Sequence, residues 1–206
     1  MPPRPSVILG THNRKKGLEL AELLGPADVE VATLADFPNA IDVAEDGRTF
    51  AENARLKATR QAEHLGRWVL GEDSGLLVDA LDGAPGVFSA RFSGPDATDA
   101  SNNELLLEKL AGVPRERRTA AYVCHMTLAD PAGQVRAESE ARCRGRILTQ
   151  PGGTYGFGYD PLFEVIEYHR SFGELGPLVK AALSHRARAA RLLLPKLVAL
   201  IGAGEL

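Results

Sequence analysis

Residues 119–148 constrain the fold more than any other stretch of the chain. In the first part, apolar side chains recur at every second position, which is the period of a β-strand; they are Tyr122, Cys124, Met126 and Leu128. The sequence "DPAG" at 130–133 then supplies a turn, and a second long segment follows it. Together these features predict a long antiparallel hairpin.

Helical patterns and short strands surround this hairpin. Residues 6–9, "SVIL", predict a short buried strand, and a loop leads from it into a helix that ends near Gly25. Thr49 and Glu52 form a capping box, which predicts a helix of about 16 residues beginning at Phe50. Two further helices are predicted from their capping residues, Ser101 with Glu104 and Ser184. This mixture predicts an α/β fold with a mixed sheet flanked by helices.

Composition bounds the class of protein and its partners. The chain has 206 residues, 44% of them hydrophobic, which predicts one globular domain over 1–206, with room for two lobes. A net charge of −3 gives no general reason to expect nucleic acid or a membrane as a partner. The apolar run near the N-terminus is too short for a secretory segment, and two cysteines are too few for a disulfide framework. We therefore expect a cytoplasmic protein without nucleic-acid or membrane partners.

Two adjacent carboxylates interrupt an apolar stretch at residues 69–81, "VLGEDSGLLVDAL". Glu72 and Asp73 would repel each other unless a cation lies nearby. If a strand ends here, a turn at Ser74-Gly75 could aim both at one point, where Mg²⁺ or Mn²⁺ would bind with Glu45 as a third oxygen ligand. A solvated acidic turn explains the same residues equally well.

A loop at residues 10–16, "GTHNRKK", lies where the first strand passes into a helix. Free backbone N–H groups and the positive end of a helix favour an anion there, with Thr11 and Asn13 as neutral donors and Lys16 as a charge. A capped helix with solvated lysines is the simpler alternative. No Walker A sequence occurs, which argues against a P-loop kinase or GTPase.

A glycine-rich segment at residues 152–161, "GGTYGFGYDP", combines close backbone approach with aromatic rings. Phe157 and its neighbours offer ring faces on which a nucleobase can stack, and Asp160 can accept hydrogen bonds from a base or ribose. A glycine-rich loop that covers one edge of the core remains the alternative.

Basic residues at the start of the last predicted helix interact mildly unfavourably with the positive end of its dipole. His185 and Arg186 lie in that first turn, and Lys180 precedes them. A single histidine is usually structural, so these residues favour a ligand-directed role only slightly.

Five segments in a fixed order closely resemble the inosine/xanthosine triphosphate pyrophosphatase family, from residue 6 to about residue 194. They are TxNxxK at 11–16, "TFAENARLKA", "EDSGLLVDALDGAPGVFSARFSG", "GGTYGFGYDPLF" and "LSHRARA". The resemblance implies Mg²⁺-dependent hydrolysis of dITP, ITP and XTP to the monophosphate and pyrophosphate. It also implies a cytoplasmic homodimer with a long mixed sheet and a nucleotide-binding cleft between two lobes.

The resemblance also implies a role for each matching residue. Asp73 matches the catalytic carboxylate that activates water, while Glu45 and Glu72 match acidic positions around the metal. The triphosphate-binding positions are matched by Thr11, Asn13, Lys16 and Lys57. Phe157 matches the base-stacking position, the surroundings of the purine are matched by Asp160, Lys180, His185 and Arg186, and Ser74 lies in the site loop.

Two other functions fit part of the pattern. A pyrophosphatase for modified pyrimidine nucleotides would share the phosphate and metal residues but not the purine slot. A nucleotide sensor without catalysis would bind a triphosphate and release no product, but carboxylates facing a triphosphate without a metal would repel it.

Overall fold

The computed structural model describes residues 4–206. Its α-helices are α1 (Arg14–Leu24), α2 (Phe50–Leu65), α3 (Asp99–Lys109), α4 (Phe172–Leu183) and α5 (His185–Gly202). Its strands are β1 (Ser6–Leu9), β2 (Glu30–Thr33), β3 (Val69–Val78), β4 (Thr119–Ala129), β5 (Val135–Ile147), β6 (Phe163–Val165) and β7 (Arg170–Ser171). They form one sheet in the order β2-β1-β3-β4-β5-β6-β7. Because β1 pairs in parallel with β2 and β3 while β6 pairs antiparallel with β5 and β7, the predicted mixed α/β fold is confirmed.

Local capping signals decide where the helices begin. The Thr49 side chain accepts a hydrogen bond from the Glu52 amide, and the Glu52 carboxylate accepts one from the Thr49 amide, so the predicted capping box of α2 is confirmed. The predicted cap of α3 at Ser101 is wrong. Thr98 and Ser101 form the same reciprocal pair one turn earlier, and the helix therefore begins at Asp99.

The predicted hairpin is confirmed as β4 and β5. Its turn is closed by the Asp130 amide, which donates to the Gln134 carbonyl over 3.0 Å. The Asp130 carboxylate also accepts hydrogen bonds from the amides of Ala132 and Gln134, both at 3.0 Å. An aspartate in this position therefore fixes the turn and the register of the two strands.

The chain divides into two compact units, which we describe separately. Unit 1 contains the chain up to Asp73, Cys124–Ala141 and Arg186–Leu206, and unit 2 contains Ser74–Val123 and Arg142–His185. The main core of unit 1 includes Leu9, Leu20, Leu70, Cys124, Met126 and Leu193. The core of unit 2 includes Leu76, Leu106, Cys143, Phe163 and Phe172. Both cysteines are buried and unbridged, as their sequence context predicts.

The predictions about targeting and membranes are tested only over the described part of the chain. From residue 4 to residue 206, no helix combines the length and apolar character that crossing a bilayer requires. The expectation that the N-terminus carries no secretory segment concerns in part residues 1–3, which lie outside the described residues.

An ion pair in unit 1 links α2 to the hairpin. The Arg55 guanidinium donates to both carboxylate oxygens of Glu138 over 2.6 and 2.8 Å, and Thr127 and His125 also contact that carboxylate. The hydrogen bond from Arg55 is the main reason that the pKa of Glu138 falls from 4.5 to about 2. Folding therefore favours the ionised form of this side chain.

We predict a pH-dependent contribution of Glu138 to stability. An unfolded glutamate takes up a proton near pH 4.5 and folded Glu138 only near pH 2, so the contribution is complete above about pH 4.5 and disappears as the pH falls towards 2. After allowance for partial exposure, we expect Glu138→Gln to cost ~1 kcal/mol at pH 6 and much less at pH 3. Urea unfolding at the two pH values measures this difference. The exposed control Glu108→Gln should show no such change, and an equal cost of Glu138→Gln at both pH values would contradict the prediction.

Candidate active site

Glu72 and Asp73 lie inside β3 and not at its end. The predicted turn at Ser74-Gly75 is therefore wrong, and the strand continues to Val78 because buried apolar residues such as Leu76 follow the pair. Only 2% of Glu72 and 7% of Asp73 are exposed, which rules out the solvated acidic turn. A strand can carry two buried carboxylates only if cations neutralise them.

Glu72 is held by cations from two helices of unit 1. Its Oε2 accepts a hydrogen bond from Lys16 Nζ of α1 over 3.1 Å, and its Oε1 accepts one from Arg186 Nη2 of α5 over 3.0 Å. The Cys124 thiol donates to the same Oε1 over 3.4 Å, and burial raises the pKa of this thiol well above its usual range. Glu72 is thus a charged side chain with a fixed orientation.

Asp73 faces α2. Lys57 Nζ donates to its Oδ1 over 2.9 Å, and Asn53 Nδ2 donates to its Oδ2 over 3.2 Å. Burial raises the pKa of the Asp73 carboxyl, although Lys57 opposes the shift. Burial alone would lower the pKa of Lys57, but Asp73 and Glu45 raise it above its ordinary value. Asp73 is therefore a carboxylate whose basicity is increased by its surroundings, as a general base requires.

Gly71 allows α2 to come this close to β3. A Cβ atom at this position would lie 2.3 Å from the carbonyl oxygen of Ala54 and 2.7 Å from the amide nitrogen of Ala58. Any larger residue would push the helix backbone away from the strand. The glycine thus brings Asn53 and Lys57, one turn apart on α2, within reach of Asp73.

The loop before α1 acts as a helix cap in the structure. Thr11 Oγ1 accepts a hydrogen bond from the Asn13 amide, and Asn13 Oδ1 accepts one from the Lys16 amide, both at 3.1 Å. Asn13 is the N-cap residue, which confirms the predicted passage from strand to helix. Lys16 consequently lies in the first turn, where it reaches Glu72. The phosphate-binding role of these residues remains a prediction.

The oxygen ligands around Lys57 suit a hard cation such as Mg²⁺ or Mn²⁺. Lys57 Nζ lies 2.9 Å from Asp73 Oδ1 and 3.0 Å from Glu45 Oε2, so these two carboxylates already converge on one positive charge. Glu72 is directed towards Lys16 and Arg186 instead. Over residues 4–206, no three His, Cys, Asp or Glu side chains are arranged to hold a metal ion. The three-carboxylate metal site therefore stays a prediction.

Arg186 lies in unit 1, and the structure shows it bound by carboxylates. Besides its bond to Glu72, its Nη1 donates to Glu19 Oε2 of α1 over 2.5 Å. Burial alone would lower the pKa of this guanidinium, but Glu72 and Glu19 raise it. Glu19 is one of the site contacts that the sequence did not single out, and it has no local signal other than its charge. The predicted contact of Arg186 with a purine remains a prediction.

In unit 2, Asp160 connects the glycine-rich segment to α4. Its Oδ2 accepts hydrogen bonds from the Phe157 amide over 2.9 Å and from Lys180 Nζ over 2.7 Å. Lys180 Nζ also lies 4.0 Å from the centroid of the Phe157 ring, in a cation–π contact. Gly156, with φ of 80°, is needed because a Cβ there would lie 2.0 Å from the Asp160 carboxylate. The three predicted residues Phe157, Asp160 and Lys180 are thus brought together.

His185 belongs to the same unit and stacks on Tyr122, with ring centroids 4.6 Å apart and an angle of 9° between the rings. The hydroxyl group of Tyr122 also reaches Asp160 Oδ1 at 3.5 Å. Like Glu19, Tyr122 is a contact of a site residue that the sequence did not single out. The sequence indicated Tyr122 only as part of the hairpin. Ser74 is half-buried in β3, and its predicted place in the site loop remains a prediction.

Comparison with known proteins shows which proteins the whole chain is similar to. A family model described as the Ham1 family matches residues 7–196. A dITP/XTP pyrophosphatase of Rhodopirellula baltica is 55% identical over 95% of this chain and 94% of its own length. A HAM1 protein structure from Coxiella burnetii has a TM-score of 0.86 at 36% identity, covering 95% of this chain and 99% of that one. The structure of a nucleoside-triphosphatase / dITP/XTP pyrophosphatase from Mycobacterium abscessus has a TM-score of 0.75 at 43% identity. It covers 92% of this chain and 99% of that one.

Proposed function

Because the chain belongs to the Ham1 family, we propose that it hydrolyses dITP, ITP and XTP to the nucleoside monophosphate and pyrophosphate. It is a nucleoside triphosphate pyrophosphatase that removes deaminated purine nucleotides from the nucleotide pool. The observation that carries this proposal in the structure is Asp73, a buried carboxylate of raised pKa between Lys57 and Asn53.

In the proposed mechanism, Asp73 accepts a proton from water as the water attacks the α-phosphorus. The bond between the α- and β-phosphates breaks, and pyrophosphate leaves. Glu45, Glu72 and Asp73 would hold Mg²⁺ or Mn²⁺, which lowers the pKa of bound water and neutralises phosphate charge. Asn53 keeps the Asp73 carboxylate oriented through its 3.2 Å hydrogen bond.

The triphosphate is proposed to bind where the lysines of unit 1 lie. Lys16 and Lys57 each contact a buried carboxylate, so both ammonium groups are already fixed in direction. On binding, they stabilise the negative charge that develops on departing pyrophosphate, with Thr11 and Asn13 as further donors. Preorganised charges are effective because they need no rearrangement during the reaction.

The purine is proposed to stack on Phe157 and to meet polar groups at its edge. Hypoxanthine and xanthine present a carbonyl acceptor at C6, where adenine presents an amino donor. Donors from Lys180, His185 or Arg186 would lose their acceptor if adenine were bound, and each buried donor left unpaired costs about 1–3 kcal/mol. Asp160 fixes Lys180 and the amide of Phe157 in this arrangement.

The family resemblance also supports finer proposals. We propose that residues 1–206 form one pyrophosphatase domain that acts as a cytoplasmic homodimer, with a purine nucleoside triphosphate as its ligand and neither nucleic acid nor a membrane as partner. Unit 1 holds the residues proposed for the metal and the triphosphate, and unit 2 holds Phe157, Asp160 and Lys180.

A substrate panel tests the function. With Mg²⁺, we expect pyrophosphate release from dITP, ITP and XTP to exceed that from ATP by at least about 10-fold in kcat/KM, which corresponds to one missing or mismatched hydrogen bond at C6. Adding EDTA should abolish release. Initial rates from a coupled pyrophosphate assay measure both effects.

The same panel separates the alternatives. Faster hydrolysis of UTP or of a modified pyrimidine triphosphate than of dITP would favour a pyrimidine-directed pyrophosphatase. Binding of ITP without release of pyrophosphate would favour a sensor. Equal rates on all purine nucleotides would contradict selection at the C6 carbonyl.

A further inference from the structure

The N-terminal part of α3 forms two hydrogen bonds with the backbone of the glycine-rich segment in unit 2. Asp99 Oδ2 accepts a hydrogen bond from the Gly158 amide over 2.9 Å, and Asn103 Nδ2 donates one to the Gly158 carbonyl over 3.0 Å. Asp99 and Asn103 are four residues apart, so their side chains lie on the same face of the helix. Both polar groups of one residue are thereby held by a single helix.

Gly158 is the residue next to the ring that is proposed to stack on the purine. It has φ of 61°, a conformation that glycine adopts without strain. On one side of it, the Phe157 amide donates to Asp160. On the other, the Tyr159 hydroxyl donates to the Ser89 carbonyl over 2.8 Å. Three consecutive residues are therefore fixed, each by a different partner.

We propose that Asp99 and Asn103 are positioning residues for purine binding, which hold the Phe157 ring in its stacking position through the peptide groups of Gly158. The proposal rests on the proposed function, because it assigns Phe157 to the purine. Without the two hydrogen bonds, a segment with glycines at 156 and 158 would gain conformational freedom. That freedom would have to be lost again when a nucleotide binds, which lowers affinity.

The proposal separates base affinity from phosphate affinity. A residue that fixes Phe157 should alter binding of ligands that carry a purine and leave binding of inorganic pyrophosphate unchanged. Substitution of a residue needed only for folding would weaken the binding of both ligands and would lower the amount of folded protein.

The test uses Asp99→Ala and Asn103→Leu, which remove one hydrogen bond each, and the pair combined. We expect KM for dITP and the calorimetric Kd for IMP to rise about 10-fold in each single variant, while kcat changes less than about threefold and the Kd for pyrophosphate is unchanged. Because both bonds hold the same residue, the combined variant should lose less than the product of the single effects.

Two controls belong to the same experiment. Asp99→Asn retains an acceptor oxygen and should restore KM and the IMP affinity to within about twofold of the wild type. Glu104→Ala removes an exposed charge from the same helix and should change neither. Thermal unfolding midpoints of all variants should stay close together, and Asn103→Leu alone suffices if Asp99→Ala does not fold.

An unchanged IMP affinity in both single variants would overturn the proposal, as would a parallel loss of IMP and pyrophosphate binding. Failure of the proposed function looks different, since the wild type would then release no pyrophosphate from dITP. The calorimetric Kd for IMP would still show whether Asp99 and Asn103 hold the Phe157 ring in position for a purine.

Discussion

Replacing Asp73 with asparagine is expected to lower kcat for dITP hydrolysis by about 10²- to 10⁴-fold, the contribution typical of a general base. Asparagine has the same shape and can still accept the hydrogen bond from Lys57, but it cannot take a proton from water. Burial raises the pKa of the Asp73 carboxyl. Because Lys57 still contacts Glu45 over 3.0 Å, loss of the Asp73 charge should leave folding intact. Pyrophosphate release at saturating dITP and Mg²⁺ measures the effect.

A matched control is Asp28→Asn. Asp28 is an exposed aspartate of unit 1 with φ of 52°, a conformation that asparagine tolerates, so the variant removes the same charge far from the chemistry. It should keep the wild-type kcat. If Asp73→Asn also kept the wild-type kcat while remaining folded, Asp73 would have no part in the reaction.

Features of the fold that depend on neighbouring residues could be predicted from the sequence. The capping box of α2 needs only Thr49 and Glu52, and the hairpin needs only an alternating pattern around a turn. The start of α3 was predicted one turn late because Ser101 fits two roles. It can cap a helix itself, or it can be the third residue of a helix capped by Thr98, and only the backbone decides between them.

The need of the acidic pair for nearby cations could be predicted from residue types, but not which residues supply them. Glu72 and Asp73 were visible as an acidic pair that requires cations. The pairing of Glu72 with Arg186 was not visible, because 114 residues separate them. The continuity of β3 through Ser74 was also missed, since a turn was predicted to aim both carboxylates at one cation. In the structure, Lys57 contacts Asp73 and Arg186 contacts Glu72 without any turn.

Arg186 contacts the buried carboxylate of Glu72 and the partly exposed carboxylate of Glu19, and this gives it a large part in the stability of unit 1. Only 1% of the residue is exposed, and its guanidinium contacts Glu19 at 2.5 Å and Glu72 at 3.0 Å. The Glu72 side chain is fully buried, so water cannot replace the guanidinium as its partner. Removing one member of a buried ion pair costs more than the pair itself contributes, because the remaining charge loses compensation. Without Arg186, Lys16 would still contact Glu72 Oε2, but Glu72 Oε1 would have lost its cation.

We therefore expect Arg186→Met to lower the free energy of unfolding by about 3–5 kcal/mol, measured in urea at pH 7. The control Arg191→Met removes the same charge from an exposed position on α5 and should cost less than about 1 kcal/mol. Adding Glu72→Gln to Arg186→Met should recover part of the loss, because the buried side chain that has lost one of its two cations is then neutral. A loss below about 1 kcal/mol for Arg186→Met, or a further loss on adding Glu72→Gln, would contradict the view that Arg186 stabilises the fold by neutralising Glu72.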